Sequence, residues 1–257
     1  MKNIITGFAA LLMAAASILA ICAFPSGAAA QDSTPVEVAK DGARTLKIQW
    51  FGHAMFRVEF GDSIFLFDPF SDIGYPMPSL PIRCDACIVS HGHFDHNNTK
   101  LAGGAFVTLD TEGVQTVRAT KVTQIKSFHD KKDGRERGWN LITVLEFDNF
   151  RIAHLGDLGQ VPDDDIIKRM GKIDILMIPI GGFYTIDAFD AWETIRLISP
   201  KVVIPMHYKT DRVKLPIADA SQFLAGRKNL VKFESSETSI DLSNMPKEET
   251  IWLFKTP

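Results

Sequence analysis

The chain has 257 residues, 46% of them hydrophobic, with 28 Lys and Arg against 31 Asp and Glu. That composition excludes disordered, collagen-like and low-complexity classes and leaves room for one globular core. A formal net charge of −3 supplies no field that draws a polyanion, so no nucleic-acid partner is expected, and three cysteines are too few for a disulfide scaffold.

In chain order, Lys2 is the only charge ahead of an apolar run from Ile4 to Phe24, and Ala28-Ala29-Ala30 offers a small-residue cleavage pattern. Residues 1–30 therefore read as a signal peptide, 31–44 as an N-terminal extension and 45–257 as the folded domain. The expected location is the bacterial periplasm or the cell exterior. An uncleaved signal, or a lipid on Cys22, is the alternative and the one expected route to membrane contact.

The first strands are Thr45 to Trp50, Ala54 to Phe60 and Ser63 to Phe67, the last two joined by a tight turn at Gly61-Asp62. Ala86 to Ser90 is a short apolar strand running into a histidine-rich segment. Lys121 to Phe128, Leu141 to Phe147 and Arg151 to Leu155 follow, with Asp148-Asn149 turning between the last two. A helix begins with Pro162 in its first turn beside Asp163, Asp164 and Asp165, which suit the positive end of the helix dipole, and Gly171 closes it. Ile173 to Ile178 is a strand, Asp187 to Ser199 a helix ended by Pro200, and Lys201 to Pro205 another strand. A third helix is expected over Ile217 to Gly226. Strands before and after helices, with hairpins at the start, describe a layered α/β domain.

Chemistry concentrates in His91-Gly92-His93-Phe94-Asp95-His96. Three imidazoles and a carboxylate within six residues, directly after a strand, are costly to bury without partners, and a metal ion supplies one. Neutral imidazole and carboxylate suit zinc, manganese or iron. Further candidate donors, His129, Asp157 and His207, each follow an expected strand, as a site assembled along one sheet edge requires. His154 also ends a strand and competes with His129 for a third imidazole. His129 is favoured, because the short step from His154 to Asp157 does not align the two on one face. His154 otherwise reads as a histidine bonded to backbone.

The pattern His91, His93, Asp95, His96 resembles the signature of the metallo-β-lactamase fold superfamily. The resemblance extends from Trp50-Phe51-Gly52-His53 and Leu66-Phe67-Asp68-Pro69 to Ile204-Pro205-Met206-His207-Tyr208. It is closest to the branch with ascorbate-6-phosphate lactonase, N-acyl phosphatidylethanolamine phospholipase D and uncharacterised metal-dependent hydrolases. The resemblance implies a four-layer αββα sandwich holding two divalent ions at one edge. His91, His93 and His129 would bind the first ion, Asp95, His96 and His207 the second, and Asp157 both. His53, Asp68 and His154 would support those ligands without touching metal. Zinc is the expected metal, with manganese or iron as alternatives.

Two such ions about 3.5–4 Å apart can hold a bridging hydroxide at neutral pH. The expected function is thus an exported dinuclear hydrolase of an ester, lactone or phosphodiester bond, with Asp95 orienting the nucleophile. Its substrate is expected to be a small or lipid-like molecule. The alternatives are a phospholipase D-like phosphodiesterase and a non-catalytic metal-binding or sensing protein. Arg135 and Arg137, in the loop after His129, are candidate contacts for an anionic substrate, and Tyr184, in Gly181-Gly182-Phe183-Tyr184-Thr185, for a cleft wall. Cys84 and Cys87 read as structural, since one pair cannot complete a zinc site and a strand starting at Ala86 opposes a disulfide.

Overall fold

The computed structural model describes residues 44–78 and 81–257, so the leader and extension assigned to 1–30 and 31–44 lie outside the described residues, Arg44 excepted. Strands β1 (Thr45–Gly52), β2 (Met55–Phe60) and β3 (Ser63–Phe67) form an antiparallel meander. After it come β4 (Ile82–Arg83), β5 (Ala86–Ile88), β6 (Ala102–Gly103) and β7 (Val107–Leu109). β5 and β7 add to β3 in parallel, while β4 and β6 pair separately. A second sheet begins with β8 (Gly113–Val117), β9 (Thr120–Phe128), β10 (Trp139–Phe147) and β11 (Phe150–His154), all antiparallel neighbours. It continues through helix α1 (Asp164–Met170), β12 (Ile175–Pro179), helix α2 (Ala188–Ile198) and β13 (Val202–Met206), with β11, β12 and β13 parallel.

The remaining elements are α3 (Ser221–Leu224), β14 (Leu230–Lys232), β15 (Glu237–Asp241) and β16 (Thr250–Leu253). β14 and β16 extend the second sheet, whereas β15 crosses to pair with β1 in the first. Nine strands expected from the sequence are present with ends moved by no more than two residues. The short strands β4, β6 and β7, strand β8 and the three C-terminal strands β14, β15 and β16 are additions.

Alternation builds the core. Phe65 and Phe67 of β3 face the main cluster, where Phe67 stacks on His154 of β11 and Phe60 of β2 stacks on Phe147 of β10. Ile64 and Leu66 of β3 point the other way, into a second cluster with Phe70, Tyr75 and Leu101. β12 and β13 are buried at every position, as strands covered on both faces are. The apolar faces of α1, α2 and α3 supply that cover through Met170, Ala191, Ile195, Ile198 and Phe223. The expected four-layer αββα sandwich is therefore uneven. Among the described residues the outer cluster on the first sheet contains no α-helical residue, and irregular chain with the 3₁₀ turn Thr99–Leu101 closes it.

Two helices depart from expectation for local reasons. Pro162 lies outside α1, because Asp163 is the N-cap and its side chain accepts from Ile166 N at 2.9 Å. The helix expected over Ile217 to Gly226 shrinks to Ser221–Leu224. Ala218 N donates to Gly181 O and Asp219 Oδ1 accepts from Ser221 N, so the first half of that segment spends its polar groups elsewhere. Cys84 and Cys87 are free and buried, and burial pushes their thiols up to about 11 and about 12. They remain neutral packing groups.

Asp163→Ala removes a cap remote from the strand ends and should lower unfolding stability by about 1 kcal/mol, with Asp163→Asn retaining most of it. Urea denaturation of the two variants checks this.

Candidate metal centre

The candidate donors leave strand ends of both sheets. β11, β12 and β13 run parallel, with His154 opposite Met177 and Pro179 opposite Met206, so their carboxyl ends open on the same side. Asp157, Gly181-Gly182 and His207 leave from those ends. β3 and β5 are parallel too, with Phe67 opposite Ile88, so Asp68 and the 90–96 loop emerge together. The carboxyl ends of parallel strands are where functional loops gather in open α/β sheets.

Ring nitrogens converge there. His91 Nε2 lies 3.0 Å and His129 Nε2 3.2 Å from His93 Nδ1, and Asp157 Oδ2 stands 3.4 Å from His129 Nε2 and 3.8 Å from His91 Nε2. On the other side of Asp157, His207 Nε2 is 3.2 Å from Oδ2 and His96 Nε2 3.3 Å from Oδ1. Asp95 Oδ2 is 4.0 Å from His96 Nε2 and 3.3 Å from His53 Nε2. Among the described residues three groups of donors capable of holding a cation result, His91-His93-His129, His53-Asp95-His96-His207 and, between them, His91-His96-Asp157.

The donor set fits metal on three observations. Ligand nitrogens about 2.0–2.1 Å from a tetrahedral ion stand a little over 3 Å apart, the spacing seen around His93 Nδ1. Of the atoms that face the cluster, buried His96 Nε2, Asp157 Oδ1 and His53 Nε2 have no hydrogen-bond partner among the described residues. Such groups are costly to leave unmet. Tautomers are also set for coordination. Ser90 Oγ donates to Asp68 Oδ2 at 2.7 Å, so its lone pair is left for the N–H of His91 Nδ1 at 2.9 Å. Asp68 Oδ2 also takes the N–H of His96 Nδ1 at 2.9 Å. Both rings thereby turn a bare Nε2 inward.

Charge tells the same story. Burial and then the charge of His96 push His91 down to about 3, burial and then His207 push His53 down to about 4, and burial lowers His129, leaving these imidazoles neutral near pH 7. Burial pushes Asp157 up, yet the imidazoles of His207 and His96 outweigh it and hold the carboxyl well below its usual range. His96 is raised well above its ordinary value in spite of burial, by Asp157 and Asp68, and the carboxylates that draw a proton to its Nε2 would equally draw a cation in the proton's place. The centre stabilises positive charge around Asp157.

His53 sits inside the donor cluster rather than around it. Its ring centroid is 3.9 Å from that of His207, closer than the 4.6 to 5.0 Å separating the rings of His91, His93 and His129. That spacing suits stacking beside His207, with Nε2 turned to Asp95. Asp68 braces the 90–96 loop, also accepting from Ser90 N at 2.7 Å. His154 is occupied by backbone, its Nε2 2.9 Å from Ala54 O and its Nδ1 accepting from Gly156 N, and it stays out of all three donor groups. His53, Asp68 and His207 all have left-handed backbone, at φ 52°, 42° and 49°. Such strain is kept only where surroundings enforce it.

A cavity of about 350 Å³ opens over the donors, lined by His93, Asp95, His129, Asp157 and His207 on the polar side and Phe94, Tyr184, Leu215 and Arg137 on the other. Arg135 is not among its walls. Its side chain is 76% exposed, pairs with Asp133 and donates to Lys132 O, so of the two expected arginines the structure brings Arg137 alone to the cavity.

Three positioning groups escaped the sequence reading. Buried Asn140 donates to Leu155 O and Ser127 Oγ and accepts from Asp157 N at 2.8 Å, fixing the Asp157 turn. Buried Asp130 accepts from the backbone N–H groups of Lys132, Gly134, Glu136 and Arg137. Gly159 lets the Asp157 loop touch the His129-Asp130 backbone, since a Cβ there would meet Asp130 N at 2.1 Å. Only Asp130 left a trace, as an acidic residue opening a turn-rich run.

Comparison with known proteins follows this geometry. Residues 47–207 match the family described as Beta-lactamase superfamily domain. A UPF0173 metal-dependent hydrolase of Thermoplasma acidophilum is 32% identical over 211 residues, 70% of this chain and 90% of its own. One from Carboxydothermus hydrogenoformans is 32% identical over 198 residues, 64% of this chain and 85% of its own. The crystal structure of a Thermotoga maritima protein, assigned as a Zn-dependent hydrolase of the metallo-beta-lactamase superfamily, superposes with a TM-score of 0.70 at 32% identity, covering 82% of this chain and all of that one.

Gly159→Ala should cost about 1–3 kcal/mol or more through overpacking against His129 and Asp130. Gly92→Ala, where an added Cβ meets nothing within 4 Å, should stay within about 0.5 kcal/mol of the parent. Thermal melts of the pair test the assigned contact.

Proposed function

The chain belongs to the β-lactamase superfamily, among the UPF0173 metal-dependent hydrolases, and on that premise we propose that it is a dinuclear metal-dependent hydrolase of an ester, lactone or phosphodiester bond. The observation that carries this reading is the convergence of ring nitrogens from His91, His96, His129 and His207 on the two oxygens of buried Asp157, with His93 Nδ1 set against His91 and His129. His91, His93, His129 and Asp157 would hold one ion, and Asp95, His96, His207 and Asp157 the other. The imidazole-rich set favours zinc over manganese or iron. When bound, such ions polarise the electrophile and bring the pKa of water towards neutrality.

The protein's own groups prepare the reaction. Burial pushes Asp95 up, but His53 beside it and the charge of His96 outweigh that, so Asp95 stays ionised at the cavity wall. It is a hydrogen-bond acceptor that orients water, not a proton donor. His53 positions Asp95 and packs His207, and Asp68 with Ser90 keeps His91 and His96 in the coordinating tautomer. Phe94, Leu215 and Tyr184 exclude bulk water from part of the cavity. The expected small or lipid-like substrate is retained, and the exposed ring of Phe94 supports an apolar portion. Export remains the reading of residues 1–30, and N-terminal sequencing of the secreted chain would test it.

Purified protein should carry close to two zinc equivalents and hydrolyse a chromogenic ester or bis(4-nitrophenyl) phosphate, losing activity to chelator and regaining it with zinc. Asp157→Ala should lower metal content and cut the rate by about 100-fold or more. His154→Ala should keep the metal ratio while losing about 2–4 kcal/mol of stability. One equivalent in the parent would reject the dinuclear centre, metal without turnover would favour a binding or sensing protein, and the reverse ranking of the variants would reject this ligand set.

A further inference from the structure

The loop that follows His129 differs from a solvated hairpin in one respect. It is wound around a buried carboxylate, Asp130, whose two oxygens accept backbone N–H groups of Lys132 at 2.7 Å, Gly134 at 3.0 Å, Glu136 at 3.0 Å and Arg137 at 2.8 Å. Asp130 thereby anchors the loop from Lys132 to Arg137. The anchor also ties the loop's far end, Arg137, to the residue next to metal-ligand candidate His129.

The loop's four cations are not equivalent. Lys131 pairs with Asp190 at 2.5 Å, Lys132 with Glu136 at 2.6 Å and Arg135 with Asp133 at 3.3 Å. Among the described residues the Arg137 guanidinium has one ion-pair contact, of 3.8 Å with Glu136, the carboxylate already held by Lys132. Its guanidinium lies 5.6 Å from the centre of the Tyr184 ring, and both residues line the cavity over the donors and the adjoining cavity of about 350 Å³ that reaches Gly182, Phe183 and Thr185. A partly shielded guanidinium over an aromatic ring, with an unfilled fork, takes a carboxylate or phosphate in two-point contact.

We propose that Arg137, laid on Tyr184 and positioned by Asp130, is the recognition site for an anionic group of the substrate. The substrate class is then a small carboxylate- or phosphate-bearing ester, lactone or phosphodiester. Its reacting bond lies at the His-Asp cluster, its anionic group at Arg137, and its apolar part against Phe94 and Leu215. This rests on the hydrolase reading of the same centre but is separable from it, because an anion can bind without turnover.

The test compares metal-loaded, full-length parent, Arg137→Gln, Arg137→Lys, Asp130→Asn and Arg135→Gln on 4-nitrophenyl acetate and on the mono-4-nitrophenyl ester of glutarate. Titration calorimetry with glutarate and with glycerol phosphate separates a carboxylate site from a phosphate site. The ratio of kcat/KM for the charged over the neutral ester, or the affinity for the favoured anion, should fall about tenfold or more in Arg137→Gln, since one charge-assisted contact is worth at least that. Arg137→Lys should recover part of the loss, and Asp130→Asn should share it although its guanidinium is intact. Arg135→Gln, outside the cavity, should match the parent. An Arg137→Gln ratio and affinity within twofold of the parent, or an equal loss in Arg135→Gln, would overturn the proposal. If the parent hydrolyses neither ester, the hydrolase reading fails while calorimetry still decides the anion site: Arg137-dependent binding upholds it, and absent or Arg137-independent binding rejects it. Should Asp130→Asn fail to fold, the two Arg137 variants carry the decision.

Discussion

Asp157 is a carboxylate sealed between two sheets, and the need of that charge for positive partners organises everything around it. Four imidazoles approach its oxygens within 3.2 to 3.8 Å. An ionised carboxylate without compensation would be forced to protonate by burial, yet this one is held well below the usual range. Compensation comes from protons on imidazole or from cations. Burial opposes the protons on His53, His91 and His129, which leaves cations as the better match for most of the cluster.

Holding that arrangement constrains the scaffold at several levels. Parallel pairing of β11, β12 and β13 brings Asp157 and His207 to one edge, and parallel pairing of β3 with β5 brings Asp68 to the 90–96 loop. Asn140 from the neighbouring antiparallel strand β10 then locks the turn at Asp157. Left-handed backbone at His53, Asp68 and His207 costs about 1–3 kcal/mol each by ordinary preference. Dense packing and directed hydrogen bonds offset it, as with His207 N donating to His53 O at 3.1 Å.

Much of this was legible because it is local or periodic. His91, His93, Asp95 and His96 crowd a six-residue window, and His129 and His207 stand directly after strands with clear β-branched runs. What stayed hidden depends on distant partners. β15, rich in Ser, Thr and Glu, earns its place only by pairing with β1, almost two hundred positions earlier in the chain. Asn140 looks like any polar residue near a strand start until Leu155 and Asp157 are folded against it. His53 reads as a bystander because its nearness to Asp95 and His207 arises from three separate chain segments. Arg135 and Arg137 are equivalent in sequence, and the winding of backbone around Asp130 is what turns one outward and leaves the other at the cavity.

The same winding explains how a common donor set can serve a particular substrate. Donors sit on strand ends, whose positions follow from sheet pairing and tolerate little change. The cavity's other walls come from loops, where sequence can vary without disturbing the sheets. Complete independence would let a loop drift relative to the reacting bond, and a displacement of 1 Å already costs heavily in rate. Here the two are coupled covalently at His129-Asp130 and by contact at Gly159, which lets the Asp157 loop touch that dipeptide. One residue of the pair faces the donors while the next holds Arg137 in place. Specificity can therefore change through the residues the loop presents, while the carboxylate beneath it keeps their distance from the centre constant.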